Sequence, residues 1–201
     1  MTRRTYFLNC SNSSCNLRFP LDLEQNKGEF CPRCGANLRA DQAASSQASL
    51  PTQKPYCQAY ALLDNLRSAY NVGAIFRTAD GAGFRGLHLC GITPTPAEHP
   101  GVSKTALGAE KTLPWVYHTN APLAAAKLKD AGYTLLVLET LANSQSLYNY
   151  LPPMNAQILL ILGNEEAGVD PALMQAADLV LHLPMQGSKK SLNVAEAFSI
   201  A

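Results

Sequence analysis

The chain has 201 residues, of which 47% are hydrophobic and 15% charged, with 13 glycines and 13 prolines. These proportions are typical of a globular protein that buries a core, and they exclude collagen-like, fully disordered and coiled-coil proteins. The formal net charge is only +1, but residues 1–40 carry +3 and the remaining residues −2, so a footprint for a polyanionic partner is expected at the amino-terminal end.

The sequence predicts neither a membrane span nor a signal peptide. The longest clean apolar run is the five-residue segment Ile158–Leu162, far short of the roughly twenty residues that cross a bilayer. The first ten residues, MTRRTYFLNC, contain only a short apolar patch. We therefore expect a cytoplasmic protein with no membrane partner, whose six cysteines do not form disulfides.

Four of the cysteines lie in residues 1–39, a segment that is too short to fold on a hydrophobic core alone. Four residues separate Cys10 from Cys15, and two separate Cys31 from Cys34, so each pair can occupy a tight turn. Four thiolates in two such turns are the tetrahedral ligand set of a structural Zn²⁺ ion. The alternatives are four free thiols or two disulfides, which the missing signal peptide disfavours. Because four thiolates leave no position for water, this zinc ribbon is predicted to bind a partner rather than to catalyse.

Basic and aromatic side chains alternate through the predicted ribbon: Arg18, Lys27, Arg33 and Arg39 with Tyr6, Phe7, Phe19 and Phe30. Such residues grip a phosphate backbone and stack on exposed bases, which favours a nucleic-acid partner. The alternative is that the aromatic rings form the small core of the ribbon. Residues 40–55 are rich in Ala, Ser, Gln and Pro without apolar periodicity, and they are predicted to be a linker.

Residues 56–201 show short apolar segments that alternate with helical patterns. This alternation predicts an α/β fold with a mostly parallel sheet and helices on both faces. The expected helix N-caps are Asn71, Asn120, Asp170 and Asn193. The six predicted strands are Tyr56–Leu63, Gly86–Ile92, Pro114–His118, Thr134–Thr140, Gln157–Gly163 and Leu179–Met185.

Two further features of this region have simple structural interpretations. Gly81, Gly83 and Gly86 form a G-x-G-x-x-G pattern, but a helix precedes it and a strand follows, the reverse of a dinucleotide-binding fingerprint. We therefore interpret these glycines as a helix end and a turn. Cys57 and Cys90 lie in apolar strands and are expected to be buried thiols.

Three segments lie in chain order at predicted strand ends or helix starts: NVGAIFRTADGAGF (71–84), LGNEEAGVD (162–170) and LPMQGSKKSLNVAEA (183–197). Together they resemble the three motifs of the SpoU/TrmH family of RNA 2′-O-ribose methyltransferases, in the SPOUT superfamily. The resemblance covers residues 57–201 and implies a trefoil-knotted domain that works as a homodimer. It also implies methyl transfer from S-adenosylmethionine to a ribose 2′-hydroxyl of structured RNA, either tRNA or rRNA.

The resemblance also implies which residues form the site. The methyl donor is expected to be held mainly by main-chain groups at Gly163, Leu183, Met185 and Leu192, with the glycine leaving room for it. The implied catalytic residues are Asn71, Arg77, Glu165, Ser191 and Asn193.

The resemblance gives each of these polar residues a role. Arg77 would hold the phosphate beside the target ribose and stabilise the forming oxyanion, because a pKa above about 12 makes it a poor general base. Asn71, Ser191 and Asn193 would position Arg77 and the ribose, and Glu165 would organise the loops. Taken singly, the same residues are ordinary helix caps, a solvated loop acid and an exposed helix charge.

Two departures from the family pattern and two alternative functions complete the prediction. Glu166 stands where many relatives have glycine, and the chain ends at Ala201, inside a helix that in relatives closes the knot and packs in the dimer. One alternative is a non-catalytic RNA-binding protein with a decayed methyltransferase domain, although Arg77, Gly163 and Asn193 are present. The other is a knotted methyltransferase that acts on a base.

Overall fold

The computed structural model describes residues 5–44 and 56–201, and the chain divides into two compact units, Met1–Gln53 and Lys54–Ala201. The predicted linker, residues 40–55, lies largely outside the described residues. Its first residues, however, belong to a strand that extends to Ala43.

The first unit is a three-stranded antiparallel sheet with a very small core. Its strands are β1 (Thr5–Cys10), β2 (Arg18–Asp22) and β3 (Leu38–Ala43), in the order β2-β1-β3. In its described residues the buried hydrophobic side chains are Leu8, Cys10 and Cys31. The turn after β2 contains Gly28 at a φ of 61°, where a Cβ would lie 2.6 Å from a methyl group of Leu23. This turn therefore packs directly onto the small core.

The second unit is a parallel sheet covered by helices on both faces, as the sequence predicts. In its described residues the sheet has seven strands in the order β6-β5-β4-β9-β7-β10-β8, and every strand pair is parallel. The strands are β4 (Gln58–Asp64), β5 (Gly86–Cys90), β6 (Trp115–His118), β7 (Thr134–Leu138), β8 (Gln145–Ser146), β9 (Gln157–Leu162) and β10 (Leu179–His182). The helices are α1 (Ala69–Ala82), α2 (Pro100–Ala106), α3 (Ala109–Thr112), α4 (Ala121–Asp130), α5 (Pro171–Ala176) and α6 (Val194–Ile200).

All six predicted strands are present. Their observed ends differ from the predicted ends by only a few residues. The sequence analysis missed β8, which has two residues, and the short helices α2 and α3. The class of fold is confirmed, while the trefoil knot stays a prediction. No helix among the described residues is long and apolar enough to span a bilayer.

Alternating side chains of the central strands supply two separate cores. On β4, Ala61 and Leu63 pack on the face covered by α1, α2 and α6, whereas Leu62 packs on the face covered by α4 and α5. Strand β9 repeats this pattern, with Leu160 on the first face and Ile161 on the second. Since each fully buried Leu or Ile stabilises the fold by about 1.5–3 kcal/mol, the central strands anchor the unit from both sides.

Helix caps agree with prediction in three of four places. Asn120, Asp170 and Asn193 each accept a hydrogen bond from a backbone N–H of the first helical turn. The prediction for Asn71 is wrong, because Ser68 caps α1 and its Oγ accepts from the Asn71 N–H at 3.3 Å. Asn71 lies inside the first turn, which leaves its side-chain amide available for other contacts.

The interpretation of the glycine pattern is confirmed. Gly83 follows the last residue of α1 at a φ of 79°, a left-handed conformation that ends helices, and β5 begins at Gly86. Cys90 is fully buried, as predicted, whereas Cys57 is half-buried.

Candidate active site and metal centre

A cleft of about 780 Å³ lies at the carboxyl ends of β7, β9 and β10. Carboxyl ends of parallel strands meet at one sheet edge, so the loops that follow them converge there. The lining includes residues 138–141, 162–169, 182, 183, 185 and 190–194. All four predicted donor-binding residues, Gly163, Leu183, Met185 and Leu192, belong to this lining.

The loop after β9 closes tightly on itself. Asn164 and Gly168 exchange two backbone hydrogen bonds of 2.9 Å, and the Asn164 side chain donates to the Asn65 carbonyl at 2.6 Å. At Gly163 a Cβ would lie 2.3 Å from the Gly168 carbonyl carbon and 2.4 Å from the Val169 nitrogen. The loop backbone itself therefore requires glycine at 163, a reason different from the predicted clearance for a donor.

Glu165 connects this loop to the start of α1. Its carboxylate accepts from the backbone N–H groups of Arg67 at 2.9 Å and Ser68 at 3.3 Å, and from the Asn71 amide at 3.0 Å. Burial raises the pKa of Glu165, but these donors outweigh it and hold the pKa below its usual range. Glu165 is therefore an ionised acceptor at neutral pH.

Asn71 extends the connection to the third motif. Its Oδ1 accepts from the Asn193 Nδ2 at 3.1 Å, while the Asn193 Oδ1 caps α6 by accepting from the Ala195 N–H. A single chain of hydrogen bonds thus runs from Glu165 through Asn71 to Asn193. It joins one residue from each of the three motifs.

Two acidic residues near this chain have structural partners. Asp64 is buried at the end of β4 and accepts from the Asp170 N–H at 3.0 Å and the Asn65 amide at 2.8 Å, while burial raises its pKa. Glu166 is exposed and forms an ion pair with Arg67. Exposed pairs of this kind contribute about 0–1 kcal/mol to the stability of a fold. Because its side chain is exposed, Glu166 fits the solvent-facing position of the loop.

Arg77 lies apart from the cleft. It is exposed on α1, next to a separate hollow that Lys104 and Thr105 of α2 also line. Six residues of helix place it about 240° around the axis from Asn71. The structure thus brings Asn71, Glu165 and Asn193 together and puts Ser191 in the cleft lining, but it does not bring Arg77 to the same hollow.

Sequence reasoning missed several polar side chains in the cleft. Glu139 and Thr140 follow β7, His182 ends β10, and Lys190 precedes Ser191. The Glu139 carboxylate accepts from the Thr140 N–H at 2.9 Å, and His182 Nδ1 lies 2.9 Å from the Ser144 hydroxyl. For Glu139, Thr140 and His182 the usable signal was their position at the ends of predicted parallel strands, where side chains face a shared crevice.

The four predicted metal ligands form a compact cluster in the first unit. Their sulfurs all lie within 4.8 Å of one another, with 3.4 Å between Cys10 and Cys34 and 3.9 Å between Cys15 and Cys31. Zinc–sulfur bonds of about 2.3 Å in a tetrahedron place sulfurs about 3.8 Å apart, so the set fits a Zn²⁺ ion. These separations exceed the roughly 2.05 Å of a disulfide bond, and all four cysteines are free.

Backbone donors support the thiolate form at one ligand. Burial raises the pKa of Cys31, but the N–H groups of Arg33 and Cys34 outweigh it and lower the pKa to about 7. Cys10 lacks a comparable set of donors, and burial raises its pKa to about 12. A bound cation would provide the charge needed to ionise the remaining thiols.

Comparison with known proteins decides the family of the second unit. Residues 58–201 match the model of the SpoU rRNA Methylase family. The chain belongs to this family. The 23S rRNA (guanosine(2553)-2'-O)-methyltransferase RlmP of Bacillus subtilis is 35% identical over 139 residues, which cover 69% of this chain and 54% of that protein. The 23S rRNA (guanosine-2'-O-)-methyltransferase RlmB of Pseudomonas syringae is 33% identical over 142 residues, with the same coverage.

Solved structures agree with the SpoU-family assignment. The AdoMet-bound rRNA methyltransferase of Sinorhizobium meliloti superimposes with a TM-score of 0.65 at 30% identity, covering 71% of this chain and 53% of that one. The SpoU methyltransferase AviRb of Streptomyces viridochromogenes shares the fold with a TM-score of 0.63 at 24% identity, covering 84% of this chain and 64% of that one. The chain spans about half the length of the two named relatives.

Proposed function

We propose that the SpoU-family unit transfers a methyl group from S-adenosylmethionine to a ribose 2′-hydroxyl of RNA. The observation that carries this proposal is the hydrogen-bond chain from Glu165 through Asn71 to Asn193 beside the cleft. This chain of hydrogen bonds holds the three family motifs together around the cleft. The Ser191 hydroxyl and the apolar lining take no part in it. The names of the relatives, 23S rRNA 2'-O-methyltransferases, support a ribosomal RNA substrate.

The cleft suits the proposed donor in size and chemistry. Its volume of about 780 Å³ lies within the range of pockets that enclose small ligands. Leu183, Met185 and Leu192 offer apolar surface for the adenine and for the carbons bonded to the sulfonium, and Glu139 adds a negative charge that favours that cation. When bound, S-adenosylmethionine supplies the electrophilic methyl carbon.

The polar residues divide the remaining work in this proposal. Asn71, Ser191 and Asn193 orient the ribose, and Glu165 keeps Asn71 in place through its three accepted hydrogen bonds. The exposed guanidinium of Arg77, together with Lys104, binds the RNA phosphate next to the target from its separate hollow, and stabilisation of the developing oxyanion requires that the proposed homodimer bring this hollow to the cleft of the partner subunit. The hydroxyl proton passes to a phosphate oxygen or to water.

Three further elements belong to the same proposal. The cysteine cluster holds a structural Zn²⁺ ion, the active form is a homodimer with the cleft near the subunit boundary, and the protein works in the cytoplasm on tRNA or rRNA. The measured mass in solution, at a protein concentration used for activity, tests the homodimer directly.

The decisive experiment separates methyl transfer from donor binding. Arg77→Ala should abolish transfer to RNA while calorimetry still detects S-adenosylmethionine binding, whereas Arg85→Ala, at another exposed arginine, should keep activity. Labelled donor and total RNA from cells lacking the protein, followed by mass spectrometry, would locate the modified nucleotide. Undiminished turnover in Arg77→Ala removes Arg77 from the mechanism, and a methyl group on a base nitrogen contradicts the ribose assignment.

A further inference from the structure

Strand register places a set of polar and aromatic side chains on one side of the ribbon sheet. Opposed residues of antiparallel strands point to the same side, and so do alternate residues along a strand. Asn9 is opposed to Arg18 on β2 and to Arg39 on β3, which makes one row across the three strands. The neighbouring row runs through Asn37, which is opposed to Phe30. We call this side the outer face, and its members are Phe7, Asn9, Arg18, Phe30, Asn37 and Arg39.

The other side of the sheet faces the small core. Leu8, opposed to Phe19, is buried there, and Tyr6 is opposed to Leu21. A Cβ on Gly28 would approach both Leu8 and Leu21, so the turn before the second cysteine pair covers this side. Tyr6 and Phe19 therefore belong to the core side. The sequence left open whether the aromatic rings contact RNA or form the core of the ribbon, and for these two rings the structure favours the core.

The aromatic rings of the outer face differ in availability. The Arg18 guanidinium lies 5.3 Å from the centre of the Phe7 ring and also forms an ion pair with Asp41. The Phe7 ring and the Arg18 guanidinium are therefore already in contact with other side chains of the ribbon. Phe30, by contrast, is 62% exposed at the edge of the metal cluster, next to the ligand Cys31. The β-bridge to Asn37 and the neighbouring cysteine fix the backbone of Phe30, and its exposed ring offers a flat surface.

The cations of the outer face also differ. Asp41 offsets the charge of Arg18, and the same contacts lower the pKa of Asp41. Arg39 is exposed and lies two residues beyond Asn37, the residue opposed to Phe30, a diagonal relation that places residues about 7–8 Å apart. Among the described residues, the outer face therefore places the exposed Phe30 ring near the exposed Arg39 guanidinium, and Asn37 adds an amide, whereas the Asn9 amide already contacts Arg18 and Asp41.

We propose that this outer face binds an unpaired nucleotide of the RNA, with the base stacked on Phe30 and the adjoining phosphate held by Arg39. The proposal rests on the proposed RNA substrate and names the part of the RNA that the ribbon contacts. A base inside a duplex has both ring faces covered by its neighbours, so stacking on Phe30 requires an unpaired base or the open face of a duplex end. One uncommitted cation is also too little charge to hold a duplex backbone by electrostatics alone.

Phe30 variants of the full chain test the stacking. The probe is a fluorescein-labelled single-stranded oligoribonucleotide of mixed sequence, with a blunt duplex of the same sequence as comparison. Phe30→Ala should weaken single-strand binding roughly 5- to 150-fold, and Phe30→Trp should retain it. Phe30→Leu, which keeps apolar bulk without a ring, should behave like the alanine variant.

Charge and direct contact are measured separately. Arg39→Gln should reduce the slope of log K against log salt by about 0.7, the value for one phosphate of a single strand. The chain contains one tryptophan, Trp115, so Phe30→Trp adds a fluorescent reporter whose emission base stacking should quench, above the response of the wild-type chain.

The outcomes distinguish this proposal from the proposed function. Wild-type affinity in Phe30→Ala, or an unquenched tryptophan at position 30 with RNA bound, overturns the stacking surface. Preferred binding of the duplex probe overturns it too. Calorimetric binding of S-adenosylmethionine does not depend on Phe30, so loss of donor binding in the wild-type chain would instead overturn the methyltransferase assignment.

Discussion

The two units of this protein are stabilised by different means. In the first unit, the buried hydrophobic residues among those described are Leu8 and two cysteines of the predicted metal site. The second unit has two extensive cores, one on each face of a parallel sheet. The difference predicts that the ribbon needs a metal cross-link at its cysteines, whereas the SpoU-family unit depends on buried apolar area.

Of the expected changes, metal removal should have the largest effect, and it should destabilise the ribbon but not the second unit. A chelator should unfold the ribbon while the second unit keeps its thermal transition, because structural zinc contributes about 10–16 kcal/mol to such modules. Circular dichroism with elemental analysis of the purified chain, expected to give one zinc per chain, measures both. Cys31→Ser should reproduce the loss, and Cys57→Ser, at a half-buried cysteine of the second unit, is the matched control. A zinc-free chain with an intact ribbon would contradict the comparison.

Within the second unit, the cleft loop should be the most sensitive point. Gly163→Ala should destabilise this unit by about 3 kcal/mol, because the added methyl group would overlap the Gly168–Val169 backbone. Denaturant unfolding measures the loss. Gly187→Ala is the control, since no atom lies within 4 Å of its added Cβ. Equal stability of the two variants would show that the loop relaxes freely.

Glu165→Gln should affect activity more than stability. The replacement keeps the shape but brings an amide N–H₂ towards the donors of Arg67, Ser68 and Asn71, so the chain to Asn193 loses its anchor. We expect a roughly 10- to 100-fold lower kcat for methyl transfer, since small displacements of positioning groups have effects of this size. Glu166→Gln, at the exposed neighbour, should retain nearly full activity. Similar rates for both variants would remove Glu165 from its positioning role.

The smallest expected effect is a pH dependence confined to the second unit. His88 Nδ1 and His118 Nε2 lie 2.9 Å apart on β5 and β6, and burial, with a further contribution from His118, lowers the pKa of His88 to about 4. The unfolded chain takes up this proton near pH 6.5 and the folded chain only near pH 4, so stability should fall as the pH drops between these values.

His88→Gln should flatten that pH dependence. Over this pH interval the variant should lose about 1 kcal/mol less stability than the wild-type chain, after allowance for the partial solvent exposure of the ring. Chemical unfolding of the second unit at several pH values between 4 and 7 measures the change. An unchanged slope in the variant would assign the pH dependence to other groups.

Local pattern was sufficient to predict the strands and the four-cysteine cluster. Segments such as 158–162 are apolar at every position, which is the composition that strands buried on both faces require. The two cysteine pairs predicted their own geometry, because the spacing within each pair is set by the tight turn that it must occupy. Short elements such as β8 and α2 were missed because two to seven residues carry too little periodicity to detect.

Contacts between distant residues could not be predicted in the same way. Asn71 looked like a helix cap from its neighbours, and the structure shows instead that it bridges Glu165 and Asn193, which lie 94 and 122 positions away in sequence. The sequence marked Gly163 as a special position. The steric reason, the close approach of the Gly168 and Val169 backbone, is visible only in the folded loop.

The amino-acid sequence by itself determined the α/β class, the four-cysteine cluster and the family motifs, because each depends on composition and spacing within a short segment. Only the tertiary structure decided which residues meet: the chain of hydrogen bonds beside the cleft, the position of Arg77 on a separate hollow and the exposure of Phe30. The reason is physical. Spacing fixes local backbone geometry, whereas contacts across a sheet edge depend on how whole strands and helices pack against one another.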